Sequence, residues 1–563
     1  MTDKTRTSGT ASAEKFGAFG GVFTPSLLTI LGVIMFLRFS TVVGHAGLWN
    51  ALLILAGANA ITLITGLCIS SIATNMRVKG GGAYYLISRS LGAEFGGVIA
   101  IFFYFAQAVA VTMYVIGFTE AVHPLLAGFG ISFRSVATAT NVLVFLCVYT
   151  GAGWTIRVQY VILAVLMLSV LSFIAGAGLG FSPEILRANM SPAWTPGYSF
   201  FTMFALFFPA VTGIMAGVNM SGDLRNPSRA LPRGTLAAIG VSAVIYAALV
   251  ILLAASVSRS VLTGSSFVMK ERALIPALIY AGVICATLSS ALGSMMGAPR
   301  ILQAFARDRI FRGLQWFGRR SGRSGEPRNA IILTFVIAQA WILAGDLDTI
   351  APVITMFFLL TYGTVNLACF YEMRSKNPSF RPAFRVNHWS VALAGALGCL
   401  GVMFLINVLW AAVALVLSGL LYYVIARADL RVAWGDVDSG LAYQRARTAL
   451  LRLERELYHP KNWRPSILVL SGGAYNRLHL AEYACWFASD SGIASIAQII
   501  TGRLEDLFDR RREAEDILRK FILNEKLAAF PVVVVEETIH TAVKALVQCH
   551  GISGVRPNTV LLG

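Results

Sequence analysis

The chain has 563 residues, of which 56% are hydrophobic and only 13% are charged, and its net charge is +18. Its many uninterrupted apolar runs of about 20 residues are typical of membrane helices and exclude a water-soluble fold built on core strands. The excess of positive charge fits contact with anionic lipid headgroups, so it gives no reason to expect a nucleic-acid partner.

The apolar runs predict an all-α polytopic membrane protein whose transmembrane domain covers residues 22–427. We expect residues 1–21 to form a polar cytosolic tail without a cleavable signal peptide, because they lack an apolar core. The twelve predicted spans are 22–46, 49–74, 96–121, 135–152, 155–179, 199–221, 234–257, 274–304, 329–344, 349–372, 389–407 and 408–427.

The charges of the loops predict the orientation of these spans. If the N-terminal tail is cytoplasmic, the loops on that side carry most of the lysines and arginines, including Arg225, Arg300 and Arg319. Such an excess on the cytoplasmic side is the usual pattern in membrane proteins. We therefore expect a multi-pass protein of the inner (plasma) membrane with both termini in the cytoplasm.

The sixth span contains helix-breaking residues near its middle. It reads FFTMFALFFPAVTGIMAGVNMSG over residues 200–222, and Pro209, Gly213 and Gly217 interrupt it. Proline removes a backbone N–H group, and glycine tolerates an unwound backbone. Within a membrane, the freed carbonyls of such a break can bind a cation and the exposed amides can bind an anion.

The first ten spans divide into two sets of five, which predicts inverted repeats. Spans 1–5 and 6–10 would face opposite ways across the bilayer because five is an odd number, and the first and sixth spans would occupy matching positions. The first span has a weaker point at residues 30–33, so we expect both helices to be broken. Such repeats place the substrate at their interface and support alternating access.

Polar residues within the spans are few, and none near mid-depth is Asp, Glu, Lys or His. The lack of a carboxylate removes the usual candidate for a proton relay, so a bound cation needs carbonyl or hydroxyl ligands. Arg38 and Glu120 lie toward the outer ends of their spans and are better explained as a pair than as two separate buried charges. Six hydroxyl residues remain as candidate ligands: Thr29, Tyr114, Thr212, Ser289, Ser290 and Tyr362. Taken singly, each is also explained by helix packing.

The composition changes after the last span. Residues 428–465 are polar and predict a helical linker, and residues 466–563 alternate four short buried strands with helices, which predicts a small cytosolic α/β domain with a parallel sheet. The turn at 471–473 lacks a full glycine-rich nucleotide motif, so a plain strand-to-helix turn explains it better. The seven cysteines show no CxxC pair or metal-ligand spacing, and we expect no metal site, disulfide or cofactor.

Five stretches of the chain together carry a family resemblance. The most specific are GGGAYYLISRSLGAEFGG at 80–97 and ALFFPAVTGIMAGVNMSGDL at 205–224, and the others are GVIMFLRFSTVVGHAG at 32–47, ATLSSALGSMMGAPRILQA at 286–304 and KNWRPSILVLSG at 461–472. They resemble bacterial cation-chloride cotransporters of the amino acid–polyamine–organocation superfamily, in particular their sodium-dependent Na-K-Cl branch. The resemblance spans nearly the whole chain.

This resemblance implies a set of ion ligands. Potassium would be held by the Tyr114 and Thr212 hydroxyls and by the carbonyls of Thr29, Ile30 and Pro209. Sodium would be held by the carbonyls of Leu28, Leu31 and Ala286 and by the hydroxyls of Ser289 and Ser290. One chloride would lie on the amides of Gly32, Val33 and Ile34, and a second on those of Gly213, Ile214 and Met215 with the Tyr362 hydroxyl. Arg38 and Glu120 would form the extracellular gate.

The resemblance therefore implies an electroneutral symporter that couples chloride to sodium and to potassium, and not an enzyme. The paired serines favour sodium coupling. Two features depart from the family. The first is Thr29-Ile30-Leu31-Gly32, which replaces the usual Asn-Ile-aromatic-Gly. The second is that the terminal regions are shorter than in animal members, which puts phosphoregulation and a homodimer interface in doubt.

The alternative is an amino acid or amine permease on the same scaffold, because the scaffold does not fix the substrate. A sensor whose cytosolic sheet binds a nucleotide or a partner is a third interpretation.

Overall fold

The computed structural model describes residues 15–76, 81–150, 155–264, 267–319, 326–345, 347–375, 380–427, 437–455, 463–472, 477–489 and 491–562. The chain divides into two compact units, Met1–Gly440 and Leu441–Gly563. The first contains the apolar helices and the second contains a β-sheet.

The described part of the first unit contains twelve long apolar helical segments. Among the described residues, eleven helices are long and apolar enough to cross a membrane, and the twelfth, α9, has 17 residues, which is at the short end of the spanning range. In chain order they are α1 (Phe19–Leu37), α2 (Phe39–Asn75), α3 (Ala93–Leu126), α4 (Phe133–Thr150), α5 (Thr155–Leu179), α6 (Phe200–Asn219), α7 (Pro227–Ser256), α8 (Pro276–Arg307), α9 (Arg328–Ala344), α10 (Leu347–Arg374), α11 (Trp389–Ile406) and α12 (Val408–Ala426). This confirms the predicted fold class.

The boundary between the first two predicted spans lies at Gly47, inside α2. Gly47 has φ +68° and ψ 175°, so the helix stops there and starts again. A Cβ atom at this position would meet the Ser191 carbonyl oxygen at 2.5 Å. Only glycine combines a positive φ with this close approach.

Both predicted helix breaks are present. In α1, Thr24–Ile30 and Val33–Leu37 are helical, but Leu31 (ψ 48°) and Gly32 (ψ −148°) are not. In α6, Phe200–Phe207 is followed by a 3₁₀ turn at Phe208–Val211, and a helix starts again at Ile214. The two interrupted helices are thus the first members of the two sets of five, as the predicted repeats require.

The prediction that Gly217 also interrupts α6 is wrong. Gly217 lies within the helical segment Ile214–Asn219. It is a packing residue, because a Cβ atom there would lie 2.7 Å from Val22 Cγ1 and 2.8 Å from Ser26 Oγ on α1. The glycine therefore lets the two interrupted helices approach closely.

The breaks of α1 and α6 lie against each other at the centre of the unit. A Cβ atom at Gly213 would lie 2.7 Å from the Ile30 nitrogen and 3.0 Å from the Ser26 carbonyl oxygen. Residues of α1 are almost all buried, whereas few residues of α11 and α12 are buried. The polar backbone of the two breaks is therefore enclosed by other helices and not by lipid.

The second unit contains a four-stranded parallel sheet with strand order β3-β2-β1-β4. The strands are β1 (Ser466–Leu470), β2 (Ile493–Thr501), β3 (Ala529–Glu536) and β4 (Thr559–Leu562). Its helices are α14 (Leu478–Ala488), α15 (Leu504–Asn524) and α16 (Ile539–Cys549), and they follow α13 (Val437–Arg455), which falls in the predicted linker. The helices connect parallel strands, as the alternating pattern predicted. Gly473, in the turn after β1, lies outside the described residues.

Replacing Gly217 by alanine should destabilise the protein, because the new methyl group would meet Val22 and Ser26 well inside contact distance. Overpacking of this kind costs about 1–3 kcal/mol. We expect a lower melting temperature of the purified protein in detergent. Gly240→Ala in α7 is the matched control, since nothing lies within 4 Å of a Cβ atom there; an equal loss in both variants would contradict the packing role of Gly217.

Candidate functional site

The break in α1 exposes a carbonyl that a tyrosine of α7 satisfies. The Tyr246 hydroxyl donates a hydrogen bond of 2.7 Å to the Ile30 carbonyl oxygen, next to the interruption at Leu31. The Tyr246 ring is fully buried between Phe39 and Phe207. Sequence reasoning missed this residue, although a tyrosine within an apolar span needs a partner for its hydroxyl and could have been noted for that reason.

The break in α6 is satisfied in a similar way from α10. The Tyr362 hydroxyl donates to the Thr212 carbonyl oxygen at 2.7 Å. The Thr212 hydroxyl in turn donates to the Pro209 carbonyl oxygen at 2.8 Å. The predicted ligands Thr212, Pro209 and Tyr362 therefore lie together, but the Tyr362 proton points to a carbonyl and not to the amides that follow Gly213.

Each break is followed by a short helix whose first amides have no intrahelical partner. Gly213 precedes Ile214–Asn219 and Gly32 precedes Val33–Leu37, and no side chain caps either start in the described part of the chain. A Cβ atom at Gly32 would lie 2.8 Å from the Thr29 carbonyl oxygen, so glycine alone fits this turn without a shift. Val33, Ile34, Ile214 and Met215 are all buried.

A small cavity lies between the two breaks and α3. Four predicted ligands line it: Thr29, Tyr114, Thr212 and Gly213. Its volume of about 10 Å³ is close to the space that one water molecule needs. The remaining lining residues were not predicted: Gln107, Ala216, Asn219, Gly293, Ser294 and Phe358. Gln107, Asn219 and Ser294 were visible in the sequence as polar residues within apolar spans.

The predicted sodium ligands lie where α8 passes α1. The Ser290 hydroxyl donates to the Leu28 carbonyl oxygen at 3.4 Å, which brings these two residues together. The neighbouring candidates are buried: Leu31, Ala286 and Ser289. Among the described residues, no group of three or more His, Cys, Asp or Glu side chains could hold a metal ion. The polar groups of the site are thus hydroxyls, amides and carbonyls.

Arg38 and Glu120 form an ion pair at one end of the unit. Arg38 Nη1 lies 3.0 Å from Glu120 Oε2, and Arg38 Nη2 lies 3.0 Å from Glu120 Oε1. The Arg38 and Glu120 side chains are only 11% and 21% exposed, so this bidentate ion pair is largely shielded from solvent. It connects Arg38, which directly follows α1, to α3, as the pairing predicted from sequence requires.

Another ion pair, which was not predicted, joins α8 to the segment that follows α6. Arg300 of α8 contacts Asp223, just beyond α6, at 2.7 Å, and Glu326 at 3.7 Å. The N-terminal segment joins the same region: the Phe16 amide donates to the Asp223 carbonyl oxygen at 3.0 Å, and the Arg225 amide donates to the Phe16 carbonyl oxygen at 2.9 Å. Ion pairs therefore connect the helices on both sides of the cavity.

Comparisons with known proteins agree with this architecture. The family model described as amino acid permease matches residues 21–469. Solute carrier family 12 member 1 of Mus musculus is 36% identical over 98% of this chain and 55% of its own length. Solute carrier family 12 member 2 is 36% identical in Squalus acanthias and 34% identical in Homo sapiens, in each case over 51% of the relative. The chain spans about half the length of these relatives. Because the family model covers most of the chain, the protein belongs to the amino acid permease family.

Proposed function

We propose that the protein is a secondary symporter that couples chloride to sodium and to potassium across the plasma membrane. The observation that carries this proposal is the contact between the two helix breaks beside one small cavity lined by hydroxyls. Such a site offers oxygen ligands to cations and free amides to anions without any carboxylate. The similar relatives are named solute carriers, which supports transport and not catalysis.

We assign potassium to the cavity beside Tyr114. Its proposed ligands are the hydroxyls of Tyr114 and Thr212 and the carbonyls of Thr29, Ile30 and Pro209. The shared cavity of Thr29, Tyr114 and Thr212 supports this set. A carbonyl oxygen has two lone pairs, so Ile30 can keep its bond from Tyr246 and still accept a cation. The Thr212 hydroxyl donates its proton to Pro209, which leaves its own lone pairs for the ion.

The two chlorides would occupy the amides at the starts of the short helices. One set is Gly32, Val33 and Ile34, and the other is Gly213, Ile214 and Met215 with Tyr362. Free amides at a helix start favour an anion. Tyr362 would have to turn from the Thr212 carbonyl to reach the second chloride, so binding would exchange one hydrogen bond for another.

Sodium would bind between α1 and α8, where Leu28 and Ser290 already meet. The proposed ligands are the carbonyls of Leu28, Leu31 and Ala286 and the hydroxyls of Ser289 and Ser290. Coupling follows from electrostatics, because a cation beside a chloride stabilises it strongly at low local dielectric. One sodium, one potassium and two chlorides would make the transport electroneutral. Full occupancy would favour the state in which the two repeats can rock.

We further propose that Arg38 and Glu120 form the extracellular gate and that both termini are cytoplasmic. The loop charges support this orientation, and it puts the Asp223–Arg300 pair on the cytoplasmic side. Opening the transporter to one side would require the ion pair on that side to separate, while the ion pair on the opposite side stays formed. We keep a homodimer as part of the proposal, since β3 and β4 leave open edges on the sheet among the described strands.

The second candidate is an amino acid or amine permease, which the description of the matching family favours. Against it, the α1 break contains a single glycine, Gly32, and not the glycine-rich turn expected for binding a carboxylate. Uptake of a panel of radiolabelled amino acids into proteoliposomes decides between the two candidates. Uptake of an amino acid without any uptake of rubidium or chloride would favour the permease.

The coupling proposal predicts a mutual dependence of ion fluxes. In proteoliposomes, uptake of radiolabelled rubidium (a substitute for potassium) should fall by about tenfold or more when sodium or chloride is omitted. The reason is that binding of one coupled ligand changes the affinity for another by a factor of this order. Protein-free liposomes provide the background. Rubidium uptake that persists unchanged without chloride would refute the proposal.

Replacing Tyr114 by phenylalanine should weaken potassium binding and leave sodium binding intact. The loss of one oxygen ligand is worth about 1.4 kcal/mol, so the half-saturating rubidium concentration should rise about tenfold. Tyr104→Phe is the matched control on the same helix, because its hydroxyl accepts from Thr334 and does not line the cavity. Equal losses in rubidium and sodium dependence would argue against this assignment.

The double substitution Ser289→Ala and Ser290→Ala should weaken sodium binding selectively. The two hydroxyls are proposed sodium ligands, and their loss should raise the half-saturating sodium concentration by about tenfold or more. Ser242→Ala on α7, whose buried hydroxyl donates to Ile239, serves as the control. The sodium site would be misplaced if sodium activation of rubidium uptake were the same in the double variant and the control.

A further inference from the structure

Three polar residues that line the same cavity lie toward the Asp223–Arg300 pair along their helices. They are Gln107 of α3, Asn219 of α6 and Ser294 of α8. All three side chains are at least nine-tenths buried, with exposed fractions of 6%, 5% and 6%. These polar groups are thus enclosed in the centre of the unit and face the same space as Tyr114.

Helix geometry puts these residues in one layer. Gln107 precedes Tyr114 by two turns, which is about 10 Å along α3 and away from Glu120. Ser294 follows Ser290 by one turn, about 6 Å along α8 in the direction of Arg300. Asn219 ends α6, four residues before Asp223. The three helices therefore each contribute one polar side chain to the part of the cavity lining that lies toward the Asp223–Arg300 pair.

Asn219 carries an oxygen whose hydrogen-bonding capacity is unused. Its Oδ1 atom is buried and has no hydrogen-bond partner among the described residues. Two glycines make room for this side chain: a Cβ atom at Gly297 would lie 3.0 Å from Nδ2, and one at Gly82 would overlap Oδ1. An unpartnered buried amide oxygen costs free energy, which a bound cation or water would recover.

We propose that Gln107, Asn219 and Ser294 form a transit site for a dehydrated monovalent alkali cation on its way between the ion cavity and the cytoplasm. The three side chains offer neutral amide and hydroxyl oxygens, which replace part of the hydration shell without holding the ion as firmly as a carboxylate would. This ligand set suits a monovalent cation rather than a divalent one. The inference rests on the proposed function and extends it to the release step.

The site is tested by comparing rubidium influx and efflux in cells that express the full chain. In the double variant Gln107→Met and Ser294→Ala, the half-saturating internal rubidium concentration for efflux should rise about five- to tenfold, as expected for lost ligands. The external value for influx should stay within about twofold, because the Tyr114 ligands are unchanged. Gln159→Met with Ser169→Ala on α5 is the matched control, since both residues are buried away from the cavity.

Gln107→Glu provides an independent test with the opposite sign. A negative charge in this layer should hold the cation more firmly, so the internal half-saturating concentration should fall and the maximal rate should decrease. A merely structural disturbance would not raise affinity on one side only. Unchanged kinetics in both variants, or equal changes in influx and efflux, would overturn the transit site. The proposed function would still stand in that case if the wild-type protein transports rubidium. A wild-type protein that carries no rubidium contradicts the proposed function and the transit site with it.

Discussion

Unpaired backbone groups in the middle of a membrane must find partners within the protein, and this constraint shapes the centre of the unit. The breaks at Leu31–Gly32 and Phe208–Val211 expose carbonyls and amides that lipid cannot satisfy. The structure meets part of the demand with two tyrosines, Tyr246 and Tyr362, which each donate to a carbonyl at one break. The amides at the helix starts are left for other partners, and the proposed anion sites follow from that.

The position of the breaks could be predicted because it depends on local chemistry. Pro209 removes an N–H group from α6, and Gly32 and Gly213 tolerate backbone that approaches a neighbour. The twelve spans were equally local, since each is an apolar run of sufficient length. The pairing of Arg38 with Glu120 was also predictable, because two separate charges buried within apolar spans would be costly.

Features that depend on three-dimensional packing could not be read from the chain. Tyr246 reaches Ile30 across 216 positions of sequence, and nothing in α7 indicates which carbonyl it would meet. Gly217 resembled a helix breaker, but its role is to accommodate Val22 on a neighbouring helix. The layer of Gln107, Asn219 and Ser294 arises only when three helices converge. Single polar residues in apolar spans were visible, whereas their assembly around one space was not.

The short backbone pairing at Phe16 has a mechanical consequence. Phe16 exchanges hydrogen bonds with the chain at Asp223 and Arg225, so the beginning of α1 is joined to the segment that follows α6. In α1 the interruption at Gly32 lies after this junction, and in α6 the interruption at Pro209 lies before it. The part of α1 before its break and the part of α6 after its break are therefore joined at the ends that lie away from the breaks. A movement of one part would displace the other.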